Sequence, residues 1–164
     1  MKWVYGIGAL IFGGLLMAAS SSSGLAITAP VRNPRMRNDN WGQGHFGAKR
    51  GNRTHQGIDL VVSPGQSIKS PVAGVVVRKA PPYPDMSYSG VLIRGTGVHE
   101  GIEVKMFYMA PHEYLIGQPV RRGQEVGKAQ KVSNRYPGMT DHLHIEFRRG
   151  GRLIDPEPII RPSK

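Results

Sequence analysis

The sequence predicts an all-β fold, an antiparallel β-sandwich or partly open barrel, and three observations carry that expectation. Its 164 residues include 22 glycines and 13 prolines scattered along the chain, which must therefore turn often. Between the turns lie short Val/Ile-containing runs of strand length. Sustained helical periodicity is scarce. A chain of this length fits one domain with a core of its own.

The first segment is the exception to the strand pattern. After Lys2 no charged residue occurs until Arg32, and Val4 to Ala19 is apolar apart from Tyr5. The run is shorter than the ~20 residues of a comfortable spanning helix, and "AASSSSG" offers small residues for cleavage, so residues 1–24 are expected to be a signal peptide. Arg32, Arg35 and Arg37 close behind it oppose export, which leaves membrane anchoring through residues 4–28 as the alternative. Without cysteine, a bacterial lipoprotein anchor is excluded. The expected location is outside the cytoplasm, in the periplasm, cell envelope or medium, with or without the anchor.

Residues 25–40 have no sustained periodicity and are expected to be a linker or an arm draped over the domain. The compact part is expected to begin near Trp41 and run to 160, leaving 161–164 as a tail. Candidate strands within it are "GIDLVV" (57–62), "SIKSPVAGVVVRKA" (67–80), "GVLIRG" (90–95), "IEVKMFYM" (102–109), "EVGKAQ" (125–130) and "HLHIEFR" (142–148). Turn clusters such as "SPG", "PPYPD", "RRGQ" and "YPG" separate them. The end of the chain, from "RRGGRLID", adds a hairpin or edge strand before Pro156 and Pro158 stop regular pairing.

Composition narrows the partners. Twenty-two Lys and Arg against eleven Asp and Glu give a formal charge of +11, a field that attracts polyanions. No helix-turn-helix pattern, zinc knuckle or aromatic stacking motif accompanies the basic residues, so nucleic acid is not expected and an anionic cell-envelope polymer suits the field. The absence of cysteine rules out disulfides, thiolate metal sites and a cysteine nucleophile. Any metal must be held by histidine and carboxylate.

"DHLHIEF" (141–147) supplies such groups. Along a strand His142, His144 and Glu146 share one face while Leu143, Ile145 and Phe147 share the other. "RTHQGIDL" adds His55 and Asp59 at the mouth of an earlier strand. Either pattern alone is common; together they offer the nitrogen and oxygen ligands that catalytic zinc uses, three from protein and one position open. His45 in "GHFGAK" lies just upstream of His55, whereas His99 in "GTGVHEG" reads as a hairpin tip.

The series "HQGIDL … PVAGVVV … FY … GQPVRRGQEVG … HLHIEF … IDP" resembles the lysostaphin-type (LytM-like) zinc endopeptidases over residues 41–160. That resemblance implies a zinc-containing groove over one sheet face, with Zn2+ held by His55, Asp59 and His144 and with His142 as the catalytic histidine beside the metal. It also implies hydrolysis of peptide bonds in peptidoglycan stem peptides or cross-bridges; the protein is expected to be a monomer. Glu146, on the same face, would orient a ligand imidazole or else stand as a solvated surface carboxylate.

One departure matters. Members of the family carry a further histidine in a Tyr-x-His motif, and here "FYMAPHEY" places Ala110 at that position. His112, two residues on, falls on the same face if the chain stays extended, as Pro111 permits, and is the expected substitute. The segments "VKMFYMAP" and "YPGMTDHLHIE" are in addition similar to leukocyte cell-derived chemotaxin, which implies the alternative of a catalytically inactive zinc-binding module that binds cell wall or a protein partner. That family is disulfide-bonded, and this chain is not.

Overall fold

The computed structural model describes residues 26–160, so the expected signal peptide or anchor over 1–24 and the tail at 161–164 lie outside the described residues. In chain order the strands are β1 (Asn38–Asp39), β2 (Gly42–Gln43), β3 (Lys49–Arg50), β4 (Arg53–Thr54), β5 (Ile58–Val61), β6 (Ser67–Lys69) and β7 (Gly74–Lys79). There follow β8 (Gly90–Gly95), β9 (Ile102–Phe107), β10 (Met109–Pro111), β11 (Pro119–Val120), β12 (Glu125–Ala129), β13 (His142–Arg149) and β14 (Arg152–Ile154), then one helical turn, α1 (Glu157–Ile160). The fold is all-β and antiparallel, with no closed barrel among the described residues.

Strict alternation builds the main sheet. In β9, Ile102, Val104 and Met106 are buried while Glu103, Lys105 and Phe107 face the other way. β13 follows the same rule, turning Leu143, Ile145 and Phe147 into the core. The sheet runs β11-β7-β8-β9-β13, and the far side of β13 is shared by β5 over its first half and β14 over its second. A three-stranded sheet, β10-β12-β6, closes the sandwich and contributes Ile68, Met109 and Val126 to the same apolar cluster.

Two expected strands are divided. The run 67–80 becomes β6 and β7 in different sheets, because Pro71 has no N–H for a ladder and the chain turns there. The run 102–109 breaks at Tyr108, whose φ of 64° lies in the left-handed region, and the chain passes from the main sheet into the small one. His99 ends a single 3-10 turn, and its ring is buried between the N–H of Ala73 and the carbonyl of Ala26.

The arm is draped over the domain and hydrogen-bonded into it. Arg37 N–H donates to the Asp59 carbonyl at 2.8 Å, Val61 N–H to that of Arg35 at 2.8 Å, and Lys69 N–H to that of Pro30 at 2.8 Å. Residues 35–37 thus pair along the outer edge of β5, and Val31 is buried in the core, so packing begins well before Trp41. At the other end β13 and β14 form the expected hairpin through Gly150 and Gly151, and Pro158 sits inside α1.

Candidate active site

Strand register assembles the site. In the antiparallel ladder Asp59 on β5 stands directly opposite His144 on β13, and Phe107 on β9 flanks His144 from the other side. His55 enters from the residues just before β5. Its Nε2 lies 3.0 Å from His144 Nδ1 and 3.1 Å from Asp59 Oδ1, and His144 Nδ1 is 2.9 Å from the same oxygen. The outward atoms of both rings are already engaged: His55 Nδ1–H donates to the His45 carbonyl at 2.8 Å, and His144 Nε2–H to Glu146 Oε1 at 3.3 Å.

In those tautomers two nitrogen lone pairs and a carboxylate oxygen converge, an arrangement that repels itself unless a cation sits among the three. Ligand atoms about 2.0–2.1 Å from one tetrahedral metal stand roughly 3.3 Å apart, so the donor set fits a small divalent ion. Hydrogen bonds behind each ligand hold the rings in place.

Asp59 is oriented by its second oxygen. Oδ2 accepts from Arg37 Nε at 3.2 Å, Arg37 Nη2 at 3.0 Å and Arg50 Nη2 at 3.1 Å. Burial alone would raise this carboxyl's pKa, but when no metal is bound and the rings carry protons on the nitrogens that face it, hydrogen bonds from His144 and His55 and the charge of the neighbouring imidazoles outweigh burial and hold Asp59 far below the usual carboxylate range. Burial would likewise raise Glu146, but its bonds to His144 and to Lys105 Nζ, 3.0 Å away, take it down to about 2. His144 is raised: burial opposes the charged ring, and the carboxylates of Asp59 and Glu146 prevail.

His142 is set apart from this trio. Its Nδ1–H donates to the Thr140 carbonyl at 2.8 Å, which leaves the Nε2 lone pair 3.8 Å from Asp59 Oδ1. Burial, the largest influence, lowers its pKa and so favours the neutral ring. The four groups open into a cleft of about 480 Å³ lined also by Trp41, Arg53, Tyr83, Phe107, Tyr108 and Tyr136.

His55, Asp59, His142 and His144 are therefore brought together, and His112 is not. The segment stays extended through Pro111 as expected, but β10 pairs with β12 in the small sheet, and His112 Nε2 lies 2.9 Å from Glu125 Oε1 with its ring stacked on Tyr114. It is not among the cleft-lining side chains. His45 serves the site through its carbonyl, while its exposed ring pairs with Glu157. Sequence reasoning missed Arg37, Arg50, Tyr83 and Tyr136. Their only signal was composition, cations in the arm and aromatics in turn clusters.

Fold and site together define a metallopeptidase class of domain. Residues 53–156 match peptidase family M23, and the chain belongs to that family. It is 32% identical over 138 residues to leukocyte cell-derived chemotaxin-2 of Mus musculus, covering 80% of this chain and 89% of that protein. The Bos taurus counterpart is 29% identical over 146 residues, 87% of this chain and 93% of that one. Among solved structures it is similar to a zinc containing peptidase from Vibrio cholerae (TM-score 0.58, 19% identity, 84% of this chain and 40% of that one). It also resembles the antimicrobial peptidase lysostaphin from Staphylococcus simulans (TM-score 0.61, 16% identity, 82% of this chain and 54% of that one). The chain spans about half of these structures or less, and the likeness is one of fold.

Proposed function

We propose that this protein is an exported, zinc-dependent endopeptidase that hydrolyses peptide bonds in peptidoglycan stem peptides or cross-bridges. The observation that carries the reading is the convergence of His55 Nε2, Asp59 Oδ1 and His144 Nδ1, with His142 beside them. Zinc bound there would lower the pKa of water and polarise the scissile carbonyl. The protein's own groups do the rest. His142, with Nδ1–H tied to Thr140, has Nε2 available to accept the proton of the attacking water and deliver it to the leaving amine. Glu146 and Phe107 fix the plane of His144, the latter by stacking at 5.3 Å. The basic surface would keep the enzyme on an anionic wall.

Muropeptide release from purified sacculi tests the activity. His144→Ala should lose stoichiometric zinc by elemental analysis, whereas His142→Ala should keep zinc and lose hydrolysis, because a proton acceptor is needed for turnover and not for binding. Mass spectrometry of the exported protein should place its first residue between Ser20 and Pro30; an intact Met1 in envelope fractions would establish the anchor instead. The second reading, an inactive zinc-binding module, is favoured by Ala110 and by the chemotaxin-2 relatives. A folded, zinc-loaded protein that releases nothing from several wall chemistries would select it.

A further inference from the structure

Three tyrosines from three separate segments meet at the cleft. Tyr136 O–H donates to the Tyr83 hydroxyl at 3.0 Å, and the Tyr83 and Tyr108 hydroxyls are 2.7 Å apart. Three hydroxyls carry three protons, and the two contacts use two. The third proton has no protein acceptor among the described residues, and all three rings line the cleft. With Tyr136 donating to Tyr83, the spare O–H belongs to Tyr108 or to Tyr83, whichever of the two accepts from the other, and both rings line the cleft.

The surroundings hold this arrangement in place. Tyr108 is kept in the left-handed region by its N–H to the Ser89 carbonyl at 2.9 Å and by its carbonyl accepting from Gln130 N–H at 2.9 Å. A non-glycine residue held there stores strain of the kind found at functional sites. The turn lays its ring edge-on to His142, centroids 5.0 Å apart. Arg135, anchored by Asp85, places its guanidinium 4.4 Å above the Tyr83 ring and fixes the position of that ring.

We infer that Tyr136, Tyr83 and Tyr108 form a donor chain whose spare O–H hydrogen-bonds the carbonyl oxygen of the bound substrate, in place of the histidine that the family resemblance expects at Ala110. The inference rests on the endopeptidase reading. The chain donates a hydrogen bond and transfers no proton. Tyr108 or Tyr83 makes the contact, and Tyr136 is a positioning residue behind them.

The test uses the zinc-loaded protein and its Tyr108→Phe, Tyr83→Phe and Tyr136→Phe variants, with two readouts. In wall hydrolysis, loss of the donor should lower kcat about a hundredfold with KM within twofold. Tyr136→Phe should cost less, and Tyr83→Phe/Tyr108→Phe should be no worse than the poorer single variant. By calorimetry, the phosphinic analogue of an alanyl-glycine dipeptide, whose tetrahedral anion mimics the oxygen that develops charge, should bind the Tyr108→Phe or Tyr83→Phe protein at least tenfold more weakly than the parent. Zinc content and thermal stability should not move. If Tyr108→Phe fails to fold, Tyr83→Phe, on a half-buried rim residue, carries the same test. A parent that cuts no wall but whose tyrosine variants lose phosphinate affinity overturns the endopeptidase reading and leaves the donor chain standing. A parent that cuts wall, with variants equal to it in both readouts, overturns the donor chain alone. A parent that does not bind the phosphinate overturns it as well.

Discussion

Asp59 has two oxygens with opposite tasks, one turned to the histidine nitrogens and one locked by guanidinium N–H groups. Arg37 is the buried half of that lock, 2% exposed, and it also reaches Asp39 Oδ1 at 2.6 Å. Arg37→Ala would leave the Asp59 carboxylate buried with only Arg50 on its outer oxygen, so we expect a loss of about 3–5 kcal/mol in urea unfolding. Arg37→Lys should rescue little, because an ammonium cannot reproduce the fork. Glu146→Ala should weaken zinc affinity about 10- to 100-fold in a chelator competition while the fold persists, since it frees the His144 ring. The two histidine motifs were legible in the sequence because alternation along a strand is a geometric certainty once the strand is identified. Arg37 was not, because a cation in an aperiodic arm has no pattern that distinguishes a buried partner from a solvated one.

β5 and β13 come so close at the mouth of the cleft that only glycine fits between them. A Cβ on Gly57 would stand 2.2 Å from the Ile145 carbonyl oxygen and 3.0 Å from His144 Nε2. Gly57→Ala should therefore force the strands apart, lowering both the melting temperature and zinc content; unchanged zinc would show that the register is set elsewhere. On the small sheet, Glu125 is held at about 2, below the ordinary 4.5, by Ser67 first and then by Lys128 and His112. A depressed carboxyl stabilises the fold above its unfolded pKa and loses that contribution as pH falls toward the folded value. Glu125→Gln should accordingly show a shallower loss of stability than the parent between about pH 5 and pH 2. His112 lies beside the small sheet and is not among the cleft-lining side chains. Its backbone is extended as expected, but Tyr108 had already carried the chain out of the main sheet, and a single left-handed residue has no hydrophobic pattern to betray it. By contrast β8 spans the expected 90–95, because turns bound it on both sides.

Over the whole molecule, the excess of eleven positive charges implies attraction screened by salt. Binding to an anionic wall should weaken steeply between about 50 and 500 mM salt, while any cleavage of a short neutral peptide should change little; equal salt dependence of both would place the effect in the cleft. All-β architecture and family were legible in the sequence. How the arm joins the domain was not, since pairing of the arm with β5 is a contact between segments distant along the chain.

That pairing would tie metal binding at the candidate site to proteolytic resistance of the arm. Arg37 sits in the arm and its carboxylate partner in β5, so if the docked arm orders Asp59 for a metal, by linkage the bound metal holds the arm down by the same factor. Adding a chelator should then speed cleavage by a protease within residues 30–40. A fragment cut to 53–156 would bind its metal more weakly than the longer chain, having left behind Arg37 and Arg50, and a single nick in the arm would silence the site from outside it.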